Sequence, residues 1–188
     1  MSKTQNAQRP KCILSLGSTI GSFTRPEAYE FWQGWANTLK SSNGGSQDVS
    51  IIMGLDGCKD ERKVWEAYND GSGANRRFIL NALDHANRQL GYKAFDRQDW
   101  TSRGKWNAAD GSHDQYLVPV KDVCVGDVRL KEGEEIFVVS SHKYDNADKV
   151  ELWESSGLKE VDRYLSSDKS YGKGYSFLVP RKRLLTEP

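Results

Sequence analysis

The chain has 188 residues, with 27 Lys plus Arg against 26 Asp plus Glu and a formal charge of +1, which lacks the basic excess of a nucleic-acid or acidic-membrane surface. Six tryptophans, eight tyrosines and six phenylalanines argue against a disordered chain, and no run approaches the roughly twenty apolar residues of a membrane helix. These properties predict a soluble, cytoplasmic protein of one domain, or one domain with an inserted module, long enough to hold a core without disulfides.

After a polar tail to Pro10, Lys11 to Leu16 is a short apolar run that predicts a buried strand ending at Gly17. A turn-rich stretch leads to Thr24-Arg25-Pro26-Glu27, a capping box with Pro26 in the first helical turn. The helix it opens should reach Leu39, with Tyr29, Trp32, Trp35 and Leu39 toward one face. Ser41 to Gln47 is a Gly/Ser/Asn-rich connector, and Val49 to Asp56 reads as a second buried strand. Strand, helix and strand in this order predict a right-handed parallel βαβ unit.

From Lys59 the pattern changes. Asp60 caps a short helix ending near Tyr68, Asp70 to Gly73 breaks it, and Ala74 to Leu90 forms a longer helix with Ile79, Leu83, Ala86 and Leu90 in register and Gly91 as its stop. Trp100 to Asn107 and His113 to Val120 flank Asp110-Gly111, a hairpin signal. Val123 to Leu130 and Glu135 to Ser140 are expected to extend the meander. Asp145 or Asn146 caps a helix with Val150, Leu152 and Trp153, and two strands, Val161 to Leu165 and Tyr175 to Val179, end the chain. The short run Arg181-Lys182-Arg183 reads as a solvated end.

Three scattered cysteines, Cys12, Cys58 and Cys124, form no C-x-x-C pair and read as small buried hydrophobes. His85, His113 and His142 make no metal-ligand spacing, so no metal is expected. In open α/β sheets, ligands collect outside the carboxyl ends of strands, which here are Gly17 to Ser22 and Asp56 to Lys59. Spacing alone favours an ordinary strand-to-helix turn at the first, and a helix-helix turn at Gly71-Ser72-Gly73.

The run Leu14-Ser15-Leu16-Gly17-Ser18-Thr19-Ile20-Gly21-Ser22-Phe23-Thr24 resembles the histidine-specific, S-adenosylmethionine-dependent methyltransferase family. Further matching segments are Gly54-Leu55-Asp56, Cys58-Lys59-Asp60, Ala67-Tyr68-Asn69-Asp70, Phe78-Ile79-Leu80-Asn81, Asn87-Arg88-Gln89-Leu90, Trp106-Asn107, Gly133-Glu134-Glu135 and Lys143-Tyr144, so the resemblance spans Lys11 to Val179. It implies an α/β fold: the C-terminal part of a class I, Rossmann-like methyltransferase sheet carrying an inserted α+β substrate-binding lid. Residues 11–58 would be core, 59–141 the lid, and 142–188 a closing helix and antiparallel strand pair. The family's adenosylmethionine loop and ribose-binding acid would lie in an N-terminal half that this sequence does not contain, which leaves Gly17 and Ser18 as the nearest cofactor-side candidates.

The resemblance also implies site residues. The lid tyrosine that holds the substrate's amino-acid end falls on Tyr68, and an asparagine sharing that task falls on Ser22. The Glu-x-Ser that grips imidazole falls on Val139-Ser140-Ser141, so the serine Ser141 remains and the carboxylate does not. Tyr116 would stand at an apolar wall position. By their own pattern, Tyr116 and Val139 read equally as strand core. With the resemblance, they imply a larger, less polar ring than imidazole, such as the indole of 4-dimethylallyltryptophan in ergot alkaloid synthesis. The implied activity is N-methylation of an aromatic amino acid's α-amino group, with adenosylmethionine as cofactor. The alternatives are a non-catalytic remnant or accessory binding protein, and histidine Nα-methylation in ergothioneine synthesis. An uncovered sheet edge and the helix face at Trp32 and Trp35 would leave room for a partner chain, a homo-oligomer included.

Overall fold

The computed structural model describes residues 11–41, 49–165 and 173–180. The polar tail, the connector after Ser41, the loop after Leu165 and the Arg181-Lys182-Arg183 run lie outside the described residues. In chain order the elements are β1 (Lys11–Ser15), α1 (Arg25–Ser41), β2 (Val49–Asp56), α2 (Glu61–Tyr68), α3 (Ala74–Leu90), β3 (Trp100–Asn107), β4 (Ser112–Pro119), β5 (Val123–Val125), β6 (Val128–Leu130), β7 (Ile136–His142), α4 (Asn146–Ser155), β8 (Leu158–Leu165) and β9 (Lys173–Pro180). They form two compact units, 1–58 with 143–188 and 59–142. Among the described residues, no helix is long and apolar enough to cross a membrane.

The first unit is a mixed sheet in the order β1-β2-β9-β8. β1 and β2 run parallel with Ile13 opposite Ile51, and α1 is the crossover between them. β9 runs antiparallel to β2, and β8 antiparallel to β9. The capping box at Thr24 forms: the Thr24 N–H and hydroxyl both donate to Glu27 at 2.8 Å. Ala28, Trp32 and Ala36 of α1, spaced by four, pack with Ile51, Met53 and Leu55 of β2 and Leu152 and Trp153 of α4 in one core. Two expectations fail here. Trp35 is half-exposed because the buried stripe is set by the small residues on either side of Trp32. β1 is an outer strand with Leu14 61% exposed; an apolar run is buried only where layers cover both faces, and in β1 only Ile13 packs against the core.

The chain leaves this unit after Cys58, just past the end of β2, and re-enters it at Lys143, and a buried ion pair joins Asp56 to Lys143. Lys143, 2% exposed at its side chain, reaches the Asp56 carboxylate at 3.1 Å. The Tyr144 N–H donates to the Asp56 carbonyl at 2.8 Å, and the Cys58 N–H donates to the Asp56 carboxylate at 3.0 Å. Arg25, at the start of α1, donates to the Lys143 carbonyl at 2.9 Å, pairs with Asp148 at 3.3 Å and lies 4.5 Å over the Tyr144 ring. Asp148 in turn completes the capping box of α4 with Asp145.

The second unit is an antiparallel sheet, β3-β4-β7, with α2, α3 and a separate β5-β6 hairpin. Ile79, Leu80 and Leu83 of α3 pack with Trp100 and Leu117, while Leu90, in the last turn, is exposed. The expected single strand from Val123 to Leu130 is instead two short strands. Gly126, at φ +57, folds them back on each other, and β7 takes the place beside β4. β4 is the central strand and is buried along most of its length. Opposite it, Gly104 permits a close approach: a Cβ there would stand 2.5 Å from His113 Nε2 and 2.8 Å from Cε1.

Two outcomes follow from this packing. Replacing Lys143 with Met strands the Asp56 carboxylate and should lower the unfolding free energy by about 3 kcal/mol, at the low end of the buried-pair range because Asp56 keeps some solvent contact. Urea titration of Lys143→Met, Asp56→Asn and the double variant should give a double loss well below the sum of the singles; strict additivity would deny the coupling. Gly104→Ala should cost about 1–3 kcal/mol, because the fully buried His113 ring has nowhere to yield. An unchanged melting temperature would contradict that packing.

Candidate functional site

Tyr68 is the last residue of α2, and the turn that follows it is held in place by Asp70. The Asp70 carboxylate accepts from the Ser72 hydroxyl and from the N–H groups of Ala74 and Asn75, each at 3.0 Å, and these bonds hold its pKa well below the usual carboxylate range. Asn75 then donates from its side chain to the Tyr68 carbonyl at 2.8 Å. The turn therefore caps α3 and fixes the backbone of Tyr68.

From that position Tyr68 makes two contacts with the sheet. Its hydroxyl donates to Ser141 Oγ at 2.6 Å, and its ring stacks on the His113 imidazole at a centroid distance of 4.4 Å and an interplanar angle of 23°. The pairing explains the meeting: His113 is directly opposite Ser141 across β4 and β7, and opposite Trp106 across β3 and β4. Gln115 stands two residues along β4, opposite Val139 and Gly104, so His113, Gln115, Val139 and Ser141 share one face.

The sequence-derived candidates are therefore only partly assembled. The structure brings Tyr68, Val139 and Ser141 to one face of the second unit. Tyr116 does not share that face. It is offset by one residue from Gln115, meets Phe137 edge-on with ring centroids 5.9 Å apart, and has the Lys105 ammonium 5.5 Å from its ring. Lys105 and Arg103 also donate to Glu135 at 2.6 and 2.8 Å, which holds that carboxyl below its ordinary pKa. Ser22 belongs to the first unit, where its hydroxyl donates to the Thr19 carbonyl at 2.9 Å. The hydroxyls of Tyr68 and Ser141 were expected at opposite ends of a ligand but meet directly. A ring would lie beside this pair, since no ring fits between atoms 2.6 Å apart.

His113, Gln115 and Gly104 are the residues that sequence reasoning missed. The Asp110-Gly111 turn carried the signal for part of this, because a tight hairpin there puts Gln115 across from Gly104. The register between β4 and β7 shifts between Gln115 and Tyr116, and no sequence pattern announces such an irregularity.

The expected cofactor side, in the first unit, is a closed set of bonds. Gly17 and Ser18 both adopt positive φ, and Ser18 is the one non-glycine among the described residues to do so. The Ser18 hydroxyl accepts from the Asp56 N–H at 3.0 Å, while the Asp56 carboxylate is engaged by Lys143 and Cys58. An adenosyl ribose needs an acid open to accept from its hydroxyls. The described residues at this strand end satisfy one another instead, so they do not of themselves fit adenosylmethionine. A surface cleft of about 410 Å³ in the second unit is also self-satisfied: Lys93 pairs with Asp96 at 2.7 Å and Lys121 with Asp99 at 2.8 Å.

Comparison with known proteins gives the kinship. The Neurospora crassa protein "Ergothioneine biosynthesis protein 1" is 33% identical over 96% of this chain and 20% of its own length. "N-methyltransferase fsqC" of Aspergillus fumigatus is 30% identical over 93% of this chain and 46% of its own, and "4-dimethylallyltryptophan N-methyltransferase easF" of the same organism is 34% identical over 85% and 49%. The chain thus spans half or less of the length of these curated relatives. A crystal structure of an S-adenosylmethionine-dependent methyltransferase from Clostridium acetobutylicum aligns with 94% of this chain and 61% of its own at 9% identity and a TM-score of 0.47, too loose a likeness to assign the fold. The family profile described as "Histidine-specific methyltransferase, SAM-dependent" matches residues 1–176. With nearly the whole chain so matched, the protein belongs to the histidine-specific, SAM-dependent methyltransferase family.

Proposed function

We propose that the protein serves adenosylmethionine-dependent N-methylation of the α-amino group of an aromatic amino acid, and that this chain supplies the acceptor-binding side of the reaction. Family membership across residues 1–176 carries the reading. The parallel β1-β2 pair with antiparallel β9 and β8 supports assigning the first unit to the C-terminal part of a class I, Rossmann-like sheet. On this reading the second unit, inserted between β2 and α4, is the substrate-binding lid. Contacts to adenosylmethionine are left to residues other than Ser18, Asp56 and Lys143, which already hold one another.

Tyr68 and Ser141 are proposed to bind the substrate. The linked hydroxyls of Tyr68 and Ser141 act as one hydrogen-bonding unit that can donate to a carboxylate or accept from an ammonium. Val139, on the same face, can pack against a ring but cannot accept from an imidazole N–H or stabilise an imidazolium. This favours an uncharged ring over histidine. The substituted tryptophan in the names of several relatives is one amino acid with such a ring. Tyr116 has no part in this site, because it lies on the other face of the sheet.

The test is calorimetry and mass spectrometry on the purified chain with adenosylmethionine and 4-dimethylallyltryptophan. Binding of the amino acid and addition of a single methyl to its amine support the proposal. No binding heat from either compound and no methylated product overturn it. Tyr68→Phe keeps the stack on His113 and removes the hydroxyl, and should weaken amino-acid binding about five- to tenfold, the equivalent of one hydrogen bond.

A further inference from the structure

One polar group on the Tyr68 face has no role in the reading above. Gln115 is 4% exposed, and its Nε2 makes no hydrogen bond among the described residues. Alternation along β4 places it on the face of His113, between Val139 on β7 and Gly104 on β3. Burying an amide N–H without a partner costs about 1–3 kcal/mol, and folded chains seldom carry one without a use. An apolar residue of similar volume would fill the same place without that cost. Of the groups around it, Val139 is apolar, and neither the His113 imidazole nor the Ser141 hydroxyl forms a hydrogen bond with the Gln115 Nε2. Gly104 leaves the amide room, since a Cβ there would stand 3.2 Å from Nε2.

We propose that Gln115 is the specificity-determining residue for the substrate ring: its Nε2 donates to an oxygen on that ring, so the preferred substrate is an aromatic amino acid bearing a ring hydroxyl. The inference rests on the reading of the second unit as an aromatic amino-acid site. A phenol oxygen accepts from an amide N–H. A phenyl ring offers no acceptor, and an indole N–H would set a donor against a donor. A site built around a buried donor discriminates against any ring that leaves the donor unpaired.

Calorimetry on the 188-residue protein with L-tyrosine, L-phenylalanine and L-tryptophan tests it. Tyrosine should bind about tenfold more tightly than phenylalanine, the worth of one hydrogen bond in a dry site. Gln115→Leu should erase that ratio while retaining phenylalanine. Gln115→Glu, equal in shape but accepting rather than donating, should move the preference toward the tryptophan N–H. Equal binding of tyrosine and phenylalanine, tighter binding of tryptophan than of tyrosine, or a ratio that survives Gln115→Leu overturns the inference and leaves the aromatic amino-acid site standing. Binding of none of the three overturns both.

Discussion

The pair between Lys143 and Asp56 is the interaction on which the first unit depends. A lysine this buried is tolerated only where a carboxylate and well-formed hydrogen bonds offset its lost hydration. Asp56 ends β2, and Lys143 stands where the chain returns, so the pair closes the gap left by everything between them in sequence. The same few residues also set the start of both helices. Arg25 binds the Lys143 carbonyl and Asp148, and Asp148 caps α4. Ser18 ties the turn after β1 to the Asp56 N–H. Strand ends that hold a ligand in many α/β sheets are here used to hold the chain to itself.

In the second unit, one aromatic stack has the comparable role. His113 is fully buried between Tyr68 and the backbone at Gly104, and its position depends on a residue with no side chain. Tyr68 can reach it because the Asp70 turn fixes the end of α2, through a carboxylate that stays ionised well below the usual range. The candidate face is thus built on a central strand and a capped helix end rather than on loops, which is the arrangement that holds side chains to a defined geometry.

Much of this fold was legible in the residues. The capping box at Thr24, Asp60 before α2, the α3 span from Ala74 to Leu90 and the hairpin at Asp110-Gly111 each rest on chemistry within a few neighbouring residues. The failures share a cause. Leu14 and Trp35 sit in apolar patterns, but a pattern states only that a residue could be buried, and burial needs a second layer. Tyr116 and Val139 each read as strand core by their own pattern, yet the faces they occupy follow from a register that shifts by one residue beside Gln115.

The sequence by itself determined most of the elements, the family and three of the residues on the candidate face, Tyr68, Val139 and Ser141, since these follow from local pattern and from kinship over residues 1–176. Only the tertiary structure decided which side chains keep company there. It joined the Tyr68 and Ser141 hydroxyls, removed Tyr116 to the other face and brought in His113 and Gln115 over Gly104. The reason is geometric. Side chains in a strand alternate with a period of two, so a single-residue offset in pairing exchanges one face for the other, and that offset is fixed by contacts between segments far apart in sequence.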